Sequence, residues 1–153
     1  MILEPIKESH ADSLIYFLNY DKQLQQFMYP GNQKTELITK EIFLKTNQEW
    51  IKNRNAYMFA IIVDSTVIGM TTLTILPESN AVASSGVWIA SQYWNMGYST
   101  QRLLLLIDYA KAYQIKELTS KIRKDNPASK RVWEKCNASF TEDEQYYYAV
   151  VSL

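Results

Sequence analysis

Apolar positions in this chain repeat with two different periods, and the switches between them divide it into elements. Leu3 to Ile6 reads as a short strand. Ala11, Leu14, Ile15 and Leu18 stand at i, i+3, i+4 and i+7, a helix with one buried stripe, and Ser9 with Asp12 three residues on marks its start. Met28-Tyr29-Pro30-Gly31-Asn32 interrupts the pattern as a loop. Thr35 is placed to cap a second helix, reaching about Asn53 and burying Leu37, Ile38, Ile42 and Trp50 or Ile51. Tyr57 to Val63 is apolar on both faces, as an interior strand requires. Asp64-Ser65 joins it tightly to Thr66–Leu76, so the two form a hairpin. Pro77 to Asn80 turns the chain into a further strand, Ala81–Ile89. A long helix follows from Tyr98 to about Tyr113, with Leu103, Leu106, Ile107 and Ala110 as its core stripe.

After that helix, Leu118, Ser120 and Ile122 alternate as a strand, and the strand–helix–strand unit predicts a parallel, right-handed crossover. Pro127 suits a first helical turn, so Asp125-Asn126-Pro127 opens a helix running to about Asn137. Phe140 and Tyr146 to Val151 close the chain as a hairpin. The order predicts an α/β (α+β) sandwich with a mixed sheet.

Composition narrows the function classes. The chain has 153 residues, 47% hydrophobic and 21% charged, a globular composition for one domain expected to span 1–153. Its 16 basic residues equal its 16 acidic ones. A neutral chain has no global field for nucleic acid or anionic lipid, so neither is an expected partner and any anion must be held locally. No basic stretch precedes an apolar one at the N-terminus, and no run reaches transmembrane length, so a cytoplasmic protein is expected. One Cys and one His leave no internal disulfide and no common zinc set, and no metal is expected.

The most pointed feature is Val87-Trp88-Ile89-Ala90-Ser91-Gln92-Tyr93-Trp94-Asn95-Met96-Gly97-Tyr98-Ser99-Thr100. An apolar strand ends in a Gly-containing turn that opens directly into a helix. The first N–H groups of a helix have no internal partner, and the helix dipole adds positive potential there. Gly97 can adopt positive φ and admits a bulky anion to the backbone. Trp94 to Thr100 is therefore a candidate phosphate or pyrophosphate grip; the other reading is a turn that only starts a helix.

Taken together, this order and these residues resemble the GNAT superfamily of acyl-CoA N-acyltransferases, and most of all its branch that acetylates ribosomal-protein N-termini. The family's cofactor motif, Arg/Gln-x-x-Gly-x-Gly/Ala, falls on Trp94, Asn95, Met96, Gly97, Tyr98 and Ser99. Gly97 matches and Ser99 is small, whereas Trp94 replaces Arg/Gln and Asn95 stands where a second glycine is common. A second motif, Asn-x-x-Ala/Ser, matches Asn126-Pro127-Ala128-Ser129. Trp133 occupies the position where the family often has Tyr, and Asn137-Ala138 replaces the usual Gly-Phe. The resemblance implies a mostly antiparallel sheet of six to seven strands, a central parallel βαβ splay and helices on both faces.

It also implies a chemistry. Acetyl-CoA would lie between the splayed strands Ala81–Ile89 and Leu118–Ile122, as co-substrate. Its pantetheine arm would pair with backbone groups of Trp88, Ile89 and Ala90. The N–H groups of Trp94, Asn95, Met96, Gly97, Tyr98 and Ser99 would hold the pyrophosphate, and the Asn126 amide would reach the pantetheine. A backbone N–H near Ile89 would polarise the thioester carbonyl. The acyl group would pass directly to a primary amine, on a small molecule or a protein N-terminus. The carboxylate base that some members carry five residues before the motif Asn is here Lys121, and the common acid is replaced by Trp133. Ser129 is a candidate partner for the departing sulfur; the plainer reading is a helix-start Ser bonded to local backbone.

Other residues have paired readings. His10 suits a surface or capping role rather than a general base, and Cys136 a small buried apolar residue rather than a reactive one. Trp94 and Tyr98 either cover the cofactor or pack beside the turn. Thr141-Glu142-Asp143-Glu144 is either a solvated loop or a lure for a cationic amine. Among Tyr146, Tyr147 and Tyr148 one phenol could act as an acid, although alternation makes at least one ordinary packing. Lys130, Arg131 and Lys135 either meet the 3′-phosphate of the coenzyme or stay solvated. A coenzyme-binding module without catalysis and a cofactor-free interaction domain are the competing functions. The aromatic content of 13% permits a monomer or a homodimer.

Overall fold

The computed structural model of the chain describes residues 1–31 and 36–153. Among these residues seven strands form one sheet: β1 (Ile2–Pro5), β2 (Ala56–Val63), β3 (Thr66–Ile75), β4 (Val82–Ile89), β5 (Glu117–Arg123), β6 (Ser139–Glu142) and β7 (Tyr146–Ser152). They lie in the order β1-β2-β3-β4-β5-β7-β6, and among them only β4 and β5 pair in parallel. Among the described residues five α-helices accompany the sheet: α1 (Ala11–Tyr20), α2 (Lys22–Met28), α3 (Lys40–Arg54), α4 (Tyr98–Ala112) and α5 (Pro127–Lys135). This is the mixed α/β arrangement that the element order predicts.

Alternation along the strands sends consecutive side chains to opposite faces, and two apolar clusters result. On one face α4 and α5 bring Leu103, Leu106, Ile107 and Trp133 against Phe59, Leu73, Ile89 and Leu118. On the other, α1, α2 and α3 bring Leu14, Leu18, Leu24 and Phe43 against Trp88. Asp64 and Ser65 both have positive φ, 47° and 62°, the backbone of a two-residue turn whose twist suits the β2–β3 hairpin.

The structure corrects the reading of the N-terminal half. Met28, assigned to a loop from the sequence, instead ends the helix α2, and Asn32 of that loop lies outside the described residues. Asp21 stops α1 and caps α2, accepting from the Leu24 N–H at 3.0 Å. Thr35, named as a helix cap, lies outside the described residues; the observed cap of α3 is Thr39, accepting from the Ile42 N–H at 3.2 Å. The buried face of α3 is Phe43 and Asn47, while Leu37, Ile42, Trp50 and Ile51 are exposed and Ile38 is half-buried. Phe43 with Asn47 is an i, i+4 pair, but its second member is polar, so a search for apolar residues selects the wrong stripe.

Asp21 also ties this half to the end of β4. Its carboxylate accepts from the Ser91 N–H at 2.6 Å and from the Ser91 hydroxyl at 2.7 Å. One side chain thus serves as a helix cap and as a charged acceptor 70 residues away. Asp21→Ala is expected to cost about 2–3 kcal/mol. A urea or thermal unfolding curve of the variant checks it; a loss well under 1 kcal/mol would mean that water replaces these bonds.

Candidate active site

The site begins where β4 and β5 stop pairing. Their parallel register runs from Val82–Glu117 to Ser84–Thr119, and beyond Ser84 the two strands have no shared register. Strand β4 goes on to Ile89 and β5 to Arg123, so a cleft opens between them. Its volume is about 760 Å³. Alternate residues of β4 turn their backbone groups to opposite neighbours. The Ala90 N–H bonds the Ile68 carbonyl at 2.9 Å, which places Ala90 and Trp88 on the β3 side and turns Val87 and Ile89 toward the cleft. Of the three backbone positions expected to pair with a ligand, only Ile89 faces it; Ala90 has spent its N–H, and Val87 was missed. A two-residue strand repeat makes every second residue unavailable, and the sequence does not reveal the phase.

The turn after β4 has the backbone an anion site needs. A short 3₁₀ turn at Ser91–Tyr93 leads into Trp94, then Asn95 at φ 62° and Gly97 at φ 80°. Asn is among the few non-glycine residues that tolerate this region, so Asn95 does the conformational work of a second glycine. Gly97 is the N-cap of α4 and supplies no side-chain cap. The helix therefore presents its first N–H groups and its dipole to the turn without a capping oxygen. Asn95, Gly97, Tyr98, Ser99 and Thr100 line the cleft; the exposed Met96 side chain does not.

Trp94 closes this corner. Its indole N–H donates to the Ile89 carbonyl at 2.7 Å, and its ring meets Phe27 of α2 edge-on at 5.7 Å. Helix α2, absent from the sequence reading, thus supplies one wall through Leu24, Phe27 and Met28. Across the cleft, Asn126 caps α5, its carboxamide oxygen accepting from the Ser129 N–H at 3.1 Å. That leaves the amide NH₂ as the part of Asn126 that can serve a ligand. Ser129 is half-buried and lines the cleft with its backbone N–H already satisfied.

A sequence model of the family described as "Acetyltransferase (GNAT) domain" matches residues 1–139. The chain belongs to the GNAT acetyltransferase family. Its reaction class is therefore acyl transfer from acetyl-CoA. Solved structures share the fold at low identity. RimL, a ribosomal alpha-N-protein acetyltransferase in complex with coenzyme A, is 19% identical, with 99% of this chain and 93% of that one covered and a TM-score of 0.77. A ribosomal-protein-serine acetyltransferase from Vibrio cholerae, itself described as putative, is 19% identical over 99% and 92% of the two chains, with a TM-score of 0.76. YncA from Salmonella typhimurium, solved with acetyl-CoA, is 11% identical over 99% and 93%, with a TM-score of 0.76. No curated protein matches the sequence. No helix among the described residues is long and apolar enough to cross a membrane, and among them no group of His, Cys, Asp and Glu is arranged to hold a metal ion.

Several polar residues of this GNAT domain stand away from the cleft. Tyr146, Tyr147 and Tyr148 do not line it. The Tyr148 hydroxyl donates to Asp143 at 2.7 Å, and that bond raises its pKa and lowers that of Asp143. Asp143 also accepts from the Gln145 and Tyr146 N–H groups of its own loop, and Glu142 pairs with Lys124 just after β5, so two carboxylates of the acidic run are already engaged. Lys130 bonds Glu134 at 2.9 Å and lies over the rings of Phe140 and Tyr147, whereas Arg131 and Lys135 line the cleft. His10 does have a capping role, since its Nδ1 accepts from the Lys7 N–H at 3.3 Å. It is buried rather than on the surface, with Nε2 2.9 Å from Glu4. Cys136 is buried, as expected of a small apolar residue.

A charged cleft residue, too, was not singled out from the sequence. Arg102 on α4 is 1% exposed, and one of its terminal nitrogens donates to the Ser85 hydroxyl at 2.8 Å. Burial pushes its guanidinium down to about 10. The same burial pushes the nearby Cys136 thiol up, so the neighbour stays neutral near pH 7. A charged group whose pKa is depressed by burial works against the fold, here by on the order of 3 kcal/mol. That cost is present at neutral pH and is relieved as pH rises through about 10. A signal existed: Arg102 stands four and eight residues before Leu106 and Ala110, within the predicted core stripe.

Proposed function

We propose that the domain transfers an acetyl group from acetyl-CoA to a weakly basic primary amine, foremost the α-amine of a peptide N-terminus. The observation that carries this reading is one cleft joining a splayed strand edge to an uncapped helix start. The coenzyme pyrophosphate belongs at the turn from Asn95 to Thr100 and at the start of α4, where backbone donors and the dipole coincide. Its arm pairs with the cleft-facing groups of Val87 and with the Ile89 N–H, and the Asn126 NH₂ donates to an amide of that arm. Arg131 and Lys135 are the cations in reach of the outer phosphate.

The preference for α-amines rests on the lining. Among the described residues no Asp, Glu or His lines the cleft. Lys121 and Arg123 add positive charge instead. An amine must be neutral to attack. At pH 7 on the order of 10% of a peptide α-amine is neutral, against on the order of 0.04% of a lysine ε-amine, given ordinary values of ~8 and ~10.4 for the two ammonium groups in water. A site without a base leaves that ratio of a few hundred uncorrected.

Thiol release from acetyl-CoA with a panel of amines tests the reading. Peptides with a free N-terminus are expected to turn over at least about 10²-fold faster at pH 7 than peptides offering only ε-amines. Equal or faster turnover on ε-amines would overturn the preference. Lys121 and Trp133 at the family's base and acid positions favour a second reading, a coenzyme-binding domain without turnover. Coenzyme binding with no thiol release from any amine would establish it.

A further inference from the structure

We propose that Arg102 takes the negative charge of the sulfur that leaves when the acyl group is transferred, in place of a proton-donating acid. This rests on the reading of the cleft as a coenzyme site. Four observations lead to it. Arg102 is buried on a helix whose other inward residues are Leu103, Leu106, Ile107 and Ala110. Its Nε is buried with no hydrogen-bond partner, and none of the ion pairs among the described residues includes it. It lines the cleft. Its bond to Ser85 sets it one residue beyond Ser84, where β4 and β5 close together.

The geometry orders the cleft from end to end. The anion-binding turn at Gly97 is at the mouth, the Ile89 N–H and the backbone of Val87 lie along the side, the Ile89 carbonyl being held by Trp94, and Arg102 stands at the closed end. A ligand held by its diphosphate at the mouth and by its arm along β4 directs its reactive end toward the guanidinium. At that end the amine lone pair forms a C–N bond to the acyl carbon while the C–S bond breaks. The C–S electron pair departs on sulfur, and the proton lost by the amine passes to solvent. The products are an amide, a thiolate and a proton. A family-type acid would quench the thiolate by protonation, but the indole of Trp133 is no acid. A fixed cation stabilises the same charge without a proton, and a desolvated one does so strongly.

The missing partner is informative. A carboxylate beside Arg102 would neutralise it equally before and during the reaction. A cation that no described residue pairs with gains its counter-charge only as the sulfur departs, which is the differential interaction that raises a rate.

Titration of the thiol of coenzyme A in its complex with the protein, followed by thiolate absorbance, tests the inference without turnover. In the parent complex the thiol pKa is expected about 1–3 pH units below that of free coenzyme A. Arg102→Met removes that shift, and Arg102→Lys keeps part of it. Arg102→Met is also expected to bind coenzyme A by calorimetry, to lose about 10²-fold in kcat and to melt no lower than the parent, because it deletes an unpaired buried charge. A structural arginine would instead lower the melting temperature. An unshifted thiol in the parent complex, or the same shift in parent and Arg102→Met, would overturn the inference while leaving the coenzyme site standing. Absence of coenzyme binding to the parent would overturn both. A parent preference for succinyl-CoA over acetyl-CoA that Arg102→Met abolishes, with the thiol unshifted, would assign the cation to an acyl carboxylate and overturn the inference as well.

Discussion

Gly97→Val is expected to weaken coenzyme A binding about 10²-fold while the domain stays folded. Gly97 has φ 80°, and a Cβ built there meets nothing within 4 Å. A side chain would therefore not collide with the protein. It would stand in the open space that a phosphate must enter to reach the backbone donors of the turn and of α4. The backbone would also resist positive φ, at about 1–2 kcal/mol. That cost lowers the melting temperature by a few degrees in a domain of this size. Isothermal calorimetry paired with a melting curve separates the two effects. Near-parental affinity would show that the diphosphate does not sit at this turn, and the placement of the coenzyme would fail with it.

Gly69→Ala is expected to be the most damaging single methyl in the chain, costing about 3–5 kcal/mol or preventing folding. Its Cβ would lie 2.3 Å from the Trp88 carbonyl oxygen and 2.8 Å from the Ile89 Cα. Both are backbone atoms of the neighbouring strand and cannot rotate away. Relief requires β4 to move from β3 at the stretch where it borders the cleft, so coenzyme affinity falls with stability. Gly86 gives a contrast on the same sheet. A Cβ there meets only the Thr72 hydroxyl, at 2.8 Å, and a side-chain oxygen can turn aside. Chemical unfolding of both variants decides the matter; a Gly69→Ala midpoint within error of the parent would mean that the two strands have room to spare.

The motif departures were resolved by conformation rather than by residue type. Asn95 stands where a second glycine is common and Asn137 where Gly-Phe is common, and both adopt positive φ, 62° and 60°. A chain with only 4 glycines places asparagine at such corners, the substitution that costs least. Trp94 is a different case. Its indole bonds the Ile89 carbonyl and its ring packs on Phe27, so it braces the turn from within.

Local pattern alone determined the strand order in sequence, the hairpin at Asp64-Ser65, the long helix α4 and the turn that opens it. Each depends on near neighbours: periodicity, a pair of turn residues, a glycine before a helix. What needed the tertiary structure depends on residues far apart or on the phase of a repeat. Asp21 caps α2 and reaches Ser91. The hydrogen-bonding phase of β4 follows from its pairing with β3, and decides that Val87 and Ile89, not Trp88 and Ala90, open into the cleft. Arg102 shares a helix face with Leu106 and Ala110, but a long charged side chain at the edge of such a stripe is ordinarily solvated, and only the assembled fold buries it. Burial is a property of the assembled elements, and only burial turns a solvated cation into a costly one.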